Sequence, residues 1–265
     1  MNFETLFNEF NSKRVLIVGD AMIDAYMWGE INRISPEAPV PVVEIKKHEN
    51  RLGGAANVAL NLQSLGAEPI LCSVIGDDNK GKVFKKLMIE ANLKTKGILI
   101  SNKRRTTLKT RVIAENKHQV RIDEEDTFSI NIEDEFLNLL KELISDTDVV
   151  ILQDYNKGVL TPRIITELIK ITNTKNIPTI VDPKKRNFNF YKDCTIFKPN
   201  LNEIKEGMNI EFNADNTNEI EKASEKLRKF LNAKAVLLTL SSRGICFNNE
   251  QKFKHTPAFK RNIID

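Results

Sequence analysis

Helical patterns alternate with short apolar runs through much of this sequence, and this alternation constrains the fold more than any other feature. Between residues 132 and 181, two helix-patterned segments, 132–143 and 162–172, each lead into a strand-sized run, 148–152 and 178–181. The centres of these runs carry no charge, which is typical of parallel strands buried on both faces beneath helices. The sequence therefore predicts an α/β fold with a central, mostly parallel sheet sandwiched by helices.

The same rhythm extends to both sides of this region. A leading helix precedes the first run, and Gly66 ends a helical pattern that begins near Gly53. No internal repeat or low-complexity linker interrupts the chain, so we interpret residues 1–265 as one domain. Further strands are predicted at 14–18, 69–74, near Ile98, 195–197 and 235–240, and further helices at 80–91 and 216–231.

Two segments depart from this alternation and predict a small additional sheet. Segment 26–46 contains Pro36, Pro39 and Pro41 within six positions, which excludes a helix and disfavours a central strand. The stretches that flank these prolines retain strand character, as do two stretches within 106–123. We expect a sheet outside the main domain, formed from about 26–46 and 106–123, that acts as a lid over a pocket or as a homodimer contact.

Composition and charge exclude several kinds of partner. The 40 Lys and Arg and 36 Asp and Glu residues give a formal net charge of +4 and are spread along the chain, so no nucleic-acid surface is predicted. The longest apolar runs are strand-sized, which argues against a membrane span, and residues 1–10 are unlike a signal peptide. We expect a soluble, cytoplasmic protein with buried reduced thiols and no Cys/His metal site. The scattered residues behind this expectation are Cys72, Cys194, Cys246, His48, His118 and His255.

A run of small residues, Gly53-Gly54-Ala55-Ala56, precedes Asn57 at the start of a helical pattern. Small side chains let a ligand approach the backbone, the helix start offers unpaired N–H groups, and Asn57 can donate to and accept from a hydroxyl. Close packing without a ligand explains the same small residues. By itself this stretch leaves both interpretations open.

Polar residues follow several predicted strands, at positions where an open α/β sheet binds its ligands. Asp20 and Asp24 come after the first strand, although an N-cap or a turn would also favour aspartate there. After four later strands, carboxylate, amide and lysine side chains suit a phosphorylated ligand with a bound metal ion. These four segments are 153–158, 182–185, 198–203 and 241–244.

Asn200 and Glu203 stand one helical turn apart in the third of these segments, so both can face one ligand. A glutamate at this point can hold Mg²⁺ through water, and the metal would offset phosphate charge during transfer. A capping arrangement at a helix start accounts for the same spacing. The pair alone does not decide between these interpretations.

Seven segments in one order resemble a known family, and they are 20–24, 33–42, 53–57, 107–111, 154–158, 182–184 and 199–203. From about Arg14 to Asp265 the chain resembles the ribokinase-like carbohydrate kinases. Among these it is most similar to the kinase domain of bacterial enzymes that phosphorylate D-glycero-D-manno-heptose 7-phosphate at O1, some of which continue into a cytidylyltransferase domain. Segment 33–42, with its three prolines, is the part of the sequence that resembles the heptose enzymes more than ribokinase or fructokinase. The resemblance implies ATP and Mg²⁺ as cofactors and a place in lipopolysaccharide core or S-layer sugar synthesis.

The resemblance also implies the substrate-binding residues. Asp24, Gly53, Gly54 and Asn57 would bind sugar hydroxyls, with Asp20 close by. Cationic side chains would neutralise the 7-phosphate of the substrate, arginine as a bidentate fork and lysine as a point charge. These candidates are Arg33 from the lid, Lys109, Arg111 and Lys157.

On the ATP side, Asn200 and Glu203 would face the phosphates and Mg²⁺, with Glu203 holding the metal through water. The remaining candidates are Thr239 and Gly244 along the nucleotide, and Asp182 and Lys184 near the phosphate path. A homodimer formed through the lid is a further expectation from the family.

One departure from the family concerns its Gly-Ala-Gly-Asp motif, which supplies an anion hole and the catalytic base. The motif is expected just after Asp265, beyond a strand at 262–265, so we assign no catalytic residue within the 265 residues. We expect a kinase whose sequence is cut short here. The alternatives are a kinase for another sugar or sugar phosphate, or a non-catalytic sugar- or nucleotide-binding protein if the chain ends at Asp265.

Overall fold

The computed structural model describes residues 2–259 and contains a large sheet, a smaller sheet and the helices that cover them. The helices are α1 (Phe3–Asn8), α2 (Ala55–Ser64), α3 (Asn79–Glu90), α4 (Glu133–Leu143), α5 (Pro162–Thr174), α6 (Leu201–Met208) and α7 (Thr217–Leu231). The strands are β1 (Arg14–Gly19), β2 (Ala21–Ile34), β3 (Pro41–Gly54), β4 (Glu68–Gly76), β5 (Ile98–Ser101), β6 (Leu108–Ala114), β7 (Lys117–Glu124), β8 (Val149–Gln153), β9 (Thr179–Asp182), β10 (Ile196–Phe197), β11 (Ala235–Thr239), β12 (Ile245–Asn249) and β13 (Phe253–Thr256).

The large sheet has nine strands in the order β13-β12-β11-β10-β9-β8-β1-β4-β5. The strands from β11 to β5 in this order run parallel, whereas β12 and β13 pair antiparallel at one edge. β1 lies between β4 and β8, with Val15 opposite Pro69 on one side and Val149 on the other. Apart from its first residue β1 is buried, which explains its continuous apolar sequence. The predicted fold class is confirmed.

Helices cover both faces of this sheet, because successive side chains of a strand point to opposite faces. On β1, Leu16 belongs to a buried cluster that contains Phe136 of α4. Its neighbour Ile17 belongs to a second buried cluster that contains Phe84 of α3. The alternation predicted from the sequence therefore produces two hydrophobic layers on a single sheet.

The smaller sheet, called the second sheet below, has the strand order β3-β2-β6-β7. β2 and β3 form a long antiparallel pair, β6 runs parallel to β2, and β7 returns antiparallel to β6. Its strands begin closer to the main domain than the sequence predicted, because pairing of β2 with β3 continues down to Ala21 opposite Gly54. Asp24 consequently lies inside β2 and not in a turn after β1, which corrects the sequence interpretation.

The sequence pattern missed three elements. α6 occupies a segment interpreted as a polar strand end, and β12 and β13 form an edge hairpin whose polar residues, such as the buried Asn248, hide the strand pattern. The strand predicted at 262–265 lies outside the described residues. Within residues 2–259, no helix is both long and apolar enough to span a membrane.

Candidate active site

The carboxyl ends of adjacent strands bring the predicted polar segments to one edge of the large sheet. Gly19 at the end of β1 lies opposite Gln153 of β8, which in turn lies opposite Asp182 of β9. Further along, Asn200 pairs with Thr239 at the end of β11 in an isolated parallel bridge. Because parallel strands end on the same side, the residues that follow them share this edge. The second sheet rises from the same edge, since only Asp20 separates β1 from β2.

Gly53 and Gly54 end β3 directly beside the base of β2. A Cβ on Gly53 would lie 2.2 Å from Oδ2 of Asp24. A Cβ on Gly54 would lie 2.4 Å from the backbone oxygen of Asp20, and its φ of +60° also favours glycine. Close packing, one of the two interpretations left open by the sequence, therefore accounts for both glycines. Their contact with a sugar stays a prediction.

Asn57 lies in the first turn of α2 and is exposed. It opens onto a cavity of about 380 Å³ whose wall includes Arg51 from β3 and Leu87 from α3. The side chain is thus accessible to a small molecule, and its role as a sugar ligand stays a prediction.

Asp20 is buried, and its carboxylate fixes the loop that follows β8. Its Oδ2 accepts hydrogen bonds from the backbone N–H groups of Tyr155 at 2.8 Å and Lys157 at 3.0 Å, and its Oδ1 accepts from Val159 at 3.0 Å. Burial raises the pKa of Asp20, and the nearby charge of Asp154 raises it further. With both oxygens engaged, Asp20 acts in this structure as a loop anchor and not as a free hydroxyl ligand.

Asp24 forms an ion pair with Arg111 across β2 and β6, with 2.6 Å between Oδ1 and Nη1. Both side chains are partly exposed, so they remain accessible from the site. The guanidinium carbon of Arg111 also lies 5.4 Å from the ring centroid of Tyr26, and that of Arg51 lies 4.8 Å from the same ring. Its ion pair with Asp24 and its cation–π contact with Tyr26 together orient Arg111. The structure therefore brings together one predicted hydroxyl ligand and one predicted phosphate ligand.

The other two predicted phosphate ligands inside this site converge on a residue that the sequence interpretation missed. Lys109 lies 2.8 Å from both Asp123 and Glu125, and Lys157 lies 2.7 Å from Glu125. Lys109 comes from β6 and Lys157 from the loop after β8, so only the tertiary fold brings them together. Glu125 is the residue directly after β7 and belongs to the acidic run 123–126. This run is the one sequence signal that could have suggested an ion-pairing role.

Arg33, the remaining predicted phosphate ligand, lies away from Lys109, Arg111 and Lys157 of the same chain. It is exposed at the far end of β2, opposite Val42 of β3. It follows Asp24 by nine positions on the same strand, which corresponds to about 30 Å of extended chain. The sequence placed Arg33 on a lid that folds over the site, whereas β2 continues as a strand as far as Ile34.

Asn200 and Glu203 form a capping box at the start of α6. The backbone N–H of Glu203 donates to Oδ1 of Asn200 at 2.9 Å, and the backbone N–H of Asn200 donates to Oε2 of Glu203 at 2.8 Å. Oε1 of Glu203 accepts a hydrogen bond from Lys184. Burial disfavours the charged ammonium, but the bond to Glu203 leaves the pKa of Lys184 raised. The capping interpretation is thus correct, and it also places Lys184 beside the helix start.

Asp182, at the end of β9, contacts one polar residue from β8 and one that directly follows β10. Its Oδ2 lies 3.0 Å from Nζ of Lys198 and accepts a hydrogen bond from Nε2 of Gln153 at 3.1 Å. Lys198 and Gln153 lie in the predicted polar segments, but neither was assigned a role from the sequence. Two lysine–carboxylate pairs, Lys198 with Asp182 and Lys184 with Glu203, therefore lie near the ends of β9 and β10.

Thr239 and Gly244 frame the far side of this edge. The backbone N–H of Thr239 donates to the oxygen of Pro199 at 3.0 Å, which holds β11 against the start of α6. Gly244 has a φ of +95°, and a Cβ there would lie 2.1 Å from the backbone oxygen of Thr256. Gly244 is therefore required by the turn into β12, and its contact with a nucleotide stays a prediction.

The donors at this edge suit Mg²⁺ held largely through water and phosphate oxygens. Within residues 2–259, no group of three or more His, Cys, Asp and Glu side chains could hold a metal ion directly. Mg²⁺ keeps several waters and needs only one or two carboxylates when phosphates are present, and the candidates here are Asp182 and Glu203. Both oxygens of Glu203 already accept hydrogen bonds, so its contact with the metal through water stays a prediction. The adjacent Lys184 and Lys198 supply positive charge suited to ATP phosphates.

Tyr155 is a further residue that the sequence interpretation left without a role. It is partly buried in the loop anchored by Asp20. Burial raises the pKa of its hydroxyl, the charge of Asp182 adds to the increase, and Asp24 contributes in the same direction. Tyr155 therefore lies within electrostatic reach of both the Asp24 side and the Asp182 side of the site.

A mostly parallel sheet with polar strand ends and a second sheet rising beside them defines a ribokinase-like α/β protein. The chain belongs to the pfkB family of carbohydrate kinases, whose family model matches residues 12–265. The family predicted from the sequence is confirmed.

Curated relatives include the bifunctional protein HldE of two bacteria. The Helicobacter pylori J99 protein is 38% identical over 255 residues, which is 96% of this chain and 55% of the relative. The Campylobacter jejuni RM1221 protein is 41% identical over 252 residues, covering 95% of this chain and 53% of the relative. This chain thus spans about half the length of these relatives.

Solved structures share the fold at low sequence identity. Phosphofructokinase-2 from Escherichia coli in complex with potassium superposes with a TM-score of 0.73 at 19% identity, covering 93% of this chain and 78% of that chain. Ribokinase from Arabidopsis thaliana complexed with ribose and ATP gives a TM-score of 0.68 at 16% identity, covering 96% and 80%. At these identities the likeness concerns the fold alone.

Proposed function

We propose that this chain is a Mg·ATP-dependent sugar kinase that phosphorylates O1 of D-glycero-D-manno-heptose 7-phosphate. The observation that carries the proposal is 38% and 41% identity to proteins named HldE over at least 95% of this chain. Segment 33–42, by which the sequence resembles the heptose enzymes, supports the same substrate. Membership of a carbohydrate kinase family supports phosphoryl transfer to a sugar hydroxyl.

In this proposal the sugar lies between the second sheet and the edge of the large sheet. Asp24 accepts hydrogen bonds from sugar hydroxyls and is oriented by its ion pair with Arg111. Lys109 and Lys157, which converge within hydrogen-bonding distance of one carboxylate, bind the 7-phosphate.

ATP lies along the ends of β9 to β11. Lys184 and Lys198 approach its phosphates, and Asp182 and Glu203 hold Mg²⁺ through water. The bound metal supplies neutralisation of phosphate charge. The residues of this chain contribute mainly by fixing the two reactants in line and by offsetting charge, which is the dominant form of catalysis in phosphoryl transfer.

We assign the catalytic base to none of residues 2–259. Asp154, a buried aspartate in the loop after β8, accepts hydrogen bonds from the Tyr191 hydroxyl at 2.7 Å and from the Asn156 backbone N–H at 2.7 Å. Because both buried aspartates are engaged in this way, neither is placed to take a proton from a sugar hydroxyl. The proposed base is the aspartate of the Gly-Ala-Gly-Asp motif predicted beyond Asp265.

The test is an assay of the natural protein that contains this chain, with ATP, Mg²⁺ and a panel of sugars. We expect ADP release with D-glycero-D-manno-heptose 7-phosphate and a new phosphate at O1 in the ³¹P NMR spectrum of the product. Turnover with ribose or fructose 6-phosphate but not with the heptose phosphate would identify a different sugar kinase. Binding of sugar and ATP without turnover would identify a non-catalytic binding protein.

A further inference from the structure

Two lysine ammonium groups meet on a single carboxylate between the second sheet and the large sheet. Oε2 of Glu125 lies 2.8 Å from Nζ of Lys109, and Oε1 of Glu125 lies 2.7 Å from Nζ of Lys157. The two lysine side chains are only 15% and 14% exposed, and Glu125 is 21% exposed. Each carboxylate oxygen therefore holds one cation in a largely enclosed position.

Glu125 is what makes this pairing of lysines stable. Two ammonium groups at this spacing repel each other, and neither has enough exposure for water to screen the repulsion fully. Burial disfavours the charged form of Glu125, but its hydrogen bonds to Lys109 and Lys157 lower its pKa. The site is thus built around an anion.

Both lysines are held by backbone contacts that do not depend on Glu125. Lys109 lies on β6 directly opposite Asp24 of β2. The loop carrying Lys157 is held by Asp20, and the buried Arg104 donates from Nη2 to the backbone oxygen of Lys157 at 2.5 Å. If a different anion replaced the carboxylate, the backbone from which both lysine side chains extend would therefore stay in place, and Lys109 would keep its ion pair with Asp123.

We propose that Glu125 is an internal counter-ion that occupies the phosphate subsite and determines its specificity. A substrate phosphate displaces the carboxylate and pairs with Lys109 and Lys157, since phosphate oxygens accept the same charge-assisted hydrogen bonds. A neutral hydroxyl cannot replace Glu125, because the exchange would leave the enclosed ammonium group of Lys157 without its anion and Lys109 with Asp123 alone. The inference rests on the proposed function, because it takes a sugar phosphate as the substrate. It goes further in proposing that Glu125 makes the site select against unphosphorylated sugars.

The first test titrates inorganic phosphate into purified wild-type protein and the E125Q variant by isothermal calorimetry. Glutamine keeps the shape of the side chain but removes the competing charge, so we expect phosphate to bind at least about fivefold more tightly to E125Q. The matched control is E124Q, because Glu124 is the adjacent glutamate and pairs with Lys80 instead. E124Q should bind phosphate as the wild type does. Equal or weaker phosphate binding by folded E125Q would overturn the proposal.

A second variant covers the case in which E125Q does not fold. E125D keeps the charge but is too short to reach both lysines, so it should also bind phosphate more tightly than wild type. In kinetic assays, E125Q should lower KM for the heptose phosphate. The phosphate titration needs no turnover, so its result would stand even if the proposed sugar substrate were wrong. Unchanged phosphate affinity in both E125Q and E125D would instead reject the role of Glu125 as a counter-ion.

Discussion

Gly53 and Asp24 show at the residue scale how packing and site chemistry share the same atoms. Oδ2 of Asp24 occupies the space that a Cβ on Gly53 would take, at 2.2 Å, while Oδ1 of Asp24 pairs with Arg111. A side chain at position 53 would therefore push Asp24 away from its partner. Because Gly53 has no side chain, Asp24 can keep its ion pair with Arg111 in the site.

Asp78 supports a prediction at the same scale, because it caps α3 and also holds a second segment. It accepts hydrogen bonds from the backbone N–H groups of Gly81 at 2.7 Å and Thr106 at 2.8 Å. Burial opposes ionisation of Asp78, but the bonds from Thr106 and Gly81 outweigh it and lower the pKa below the usual 3.8. A lowered carboxyl pKa contributes stability above pH 3.8 that is lost as the pH falls through the folded-state pKa.

We expect D78N to lower the free energy of unfolding by about 1 kcal/mol at pH 7. The difference from wild type should shrink as the pH falls below 3.8, the ordinary pKa of aspartate. Urea denaturation between pH 7 and pH 3 measures it, with D77N at the neighbouring exposed aspartate as the control. A difference that stays constant over this pH range would show that the ionised carboxylate is not responsible.

At the scale of elements, the second sheet has two chemically different faces. Directly opposed residues of β6 and β7 point to the same side, so Arg111 and Arg121 share one face and Thr110 and Ile122 share the other. The first face carries the ion pairs of the candidate site. The second continues onto β7 with Val120 and Ile122, whose side chains are 50% and 49% exposed. Exposed apolar residues on a β-sheet suit contact with a second copy of the chain.

If the homodimer predicted through this sheet forms, I122E should shift the protein from dimer to monomer. A charge in a closely packed apolar contact loses its hydration without gaining a partner. Light scattering coupled to size exclusion measures the mass, and R121Q, one residue away on the opposite face, should remain dimeric. A wild-type protein that elutes as a monomer would reject the dimer, and an unaltered mass for I122E would place the contact elsewhere.

At the scale of the whole molecule, the large sheet joins two cores that lie on its opposite faces. Phe136 of α4 belongs to one cluster and Phe84 of α3 to the other, and both are fully buried. Both clusters use residues of β1, where Leu16 and Ile17 point to different sides. The helices on the two faces should therefore unfold together with the sheet that they share.

We expect F84L and F136L each to lower the free energy of unfolding by about 1–2 kcal/mol. The two residues do not share a cluster, so the double variant should lose the sum of the two values within about 0.5 kcal/mol. Chemical denaturation followed by circular dichroism and tryptophan fluorescence measures both the energy and the cooperativity. Two separate unfolding transitions would indicate that the two layers fold independently. A double variant whose loss of free energy differs clearly from the sum of the two single losses would contradict the expected additivity.

Much of this architecture was predictable because its signals are local in sequence. Uncharged apolar runs indicated the parallel strands, and three prolines in segment 26–46 indicated that a different kind of sheet begins there. The missed β12 and β13 form an edge where polar and apolar residues mix, so their pattern is weak. α6 was missed because the sequence interpretation placed Asn200 and Glu203 one helical turn apart but did not extend that turn into a helix.

Sequence alone determined the fold class and the edge of the sheet at which polar residues collect, because periodicity and strand-end composition depend on near neighbours. The family followed from the resemblance of seven ordered segments to known carbohydrate kinases. Only the tertiary structure decided which charges pair. Glu125 meets Lys109 and Lys157, and Arg33 lies at the far end of β2, away from them. Such pairings depend on strand register and on loops joined across the sheet. A distance between residues remote in sequence is set by the whole fold and by no local pattern.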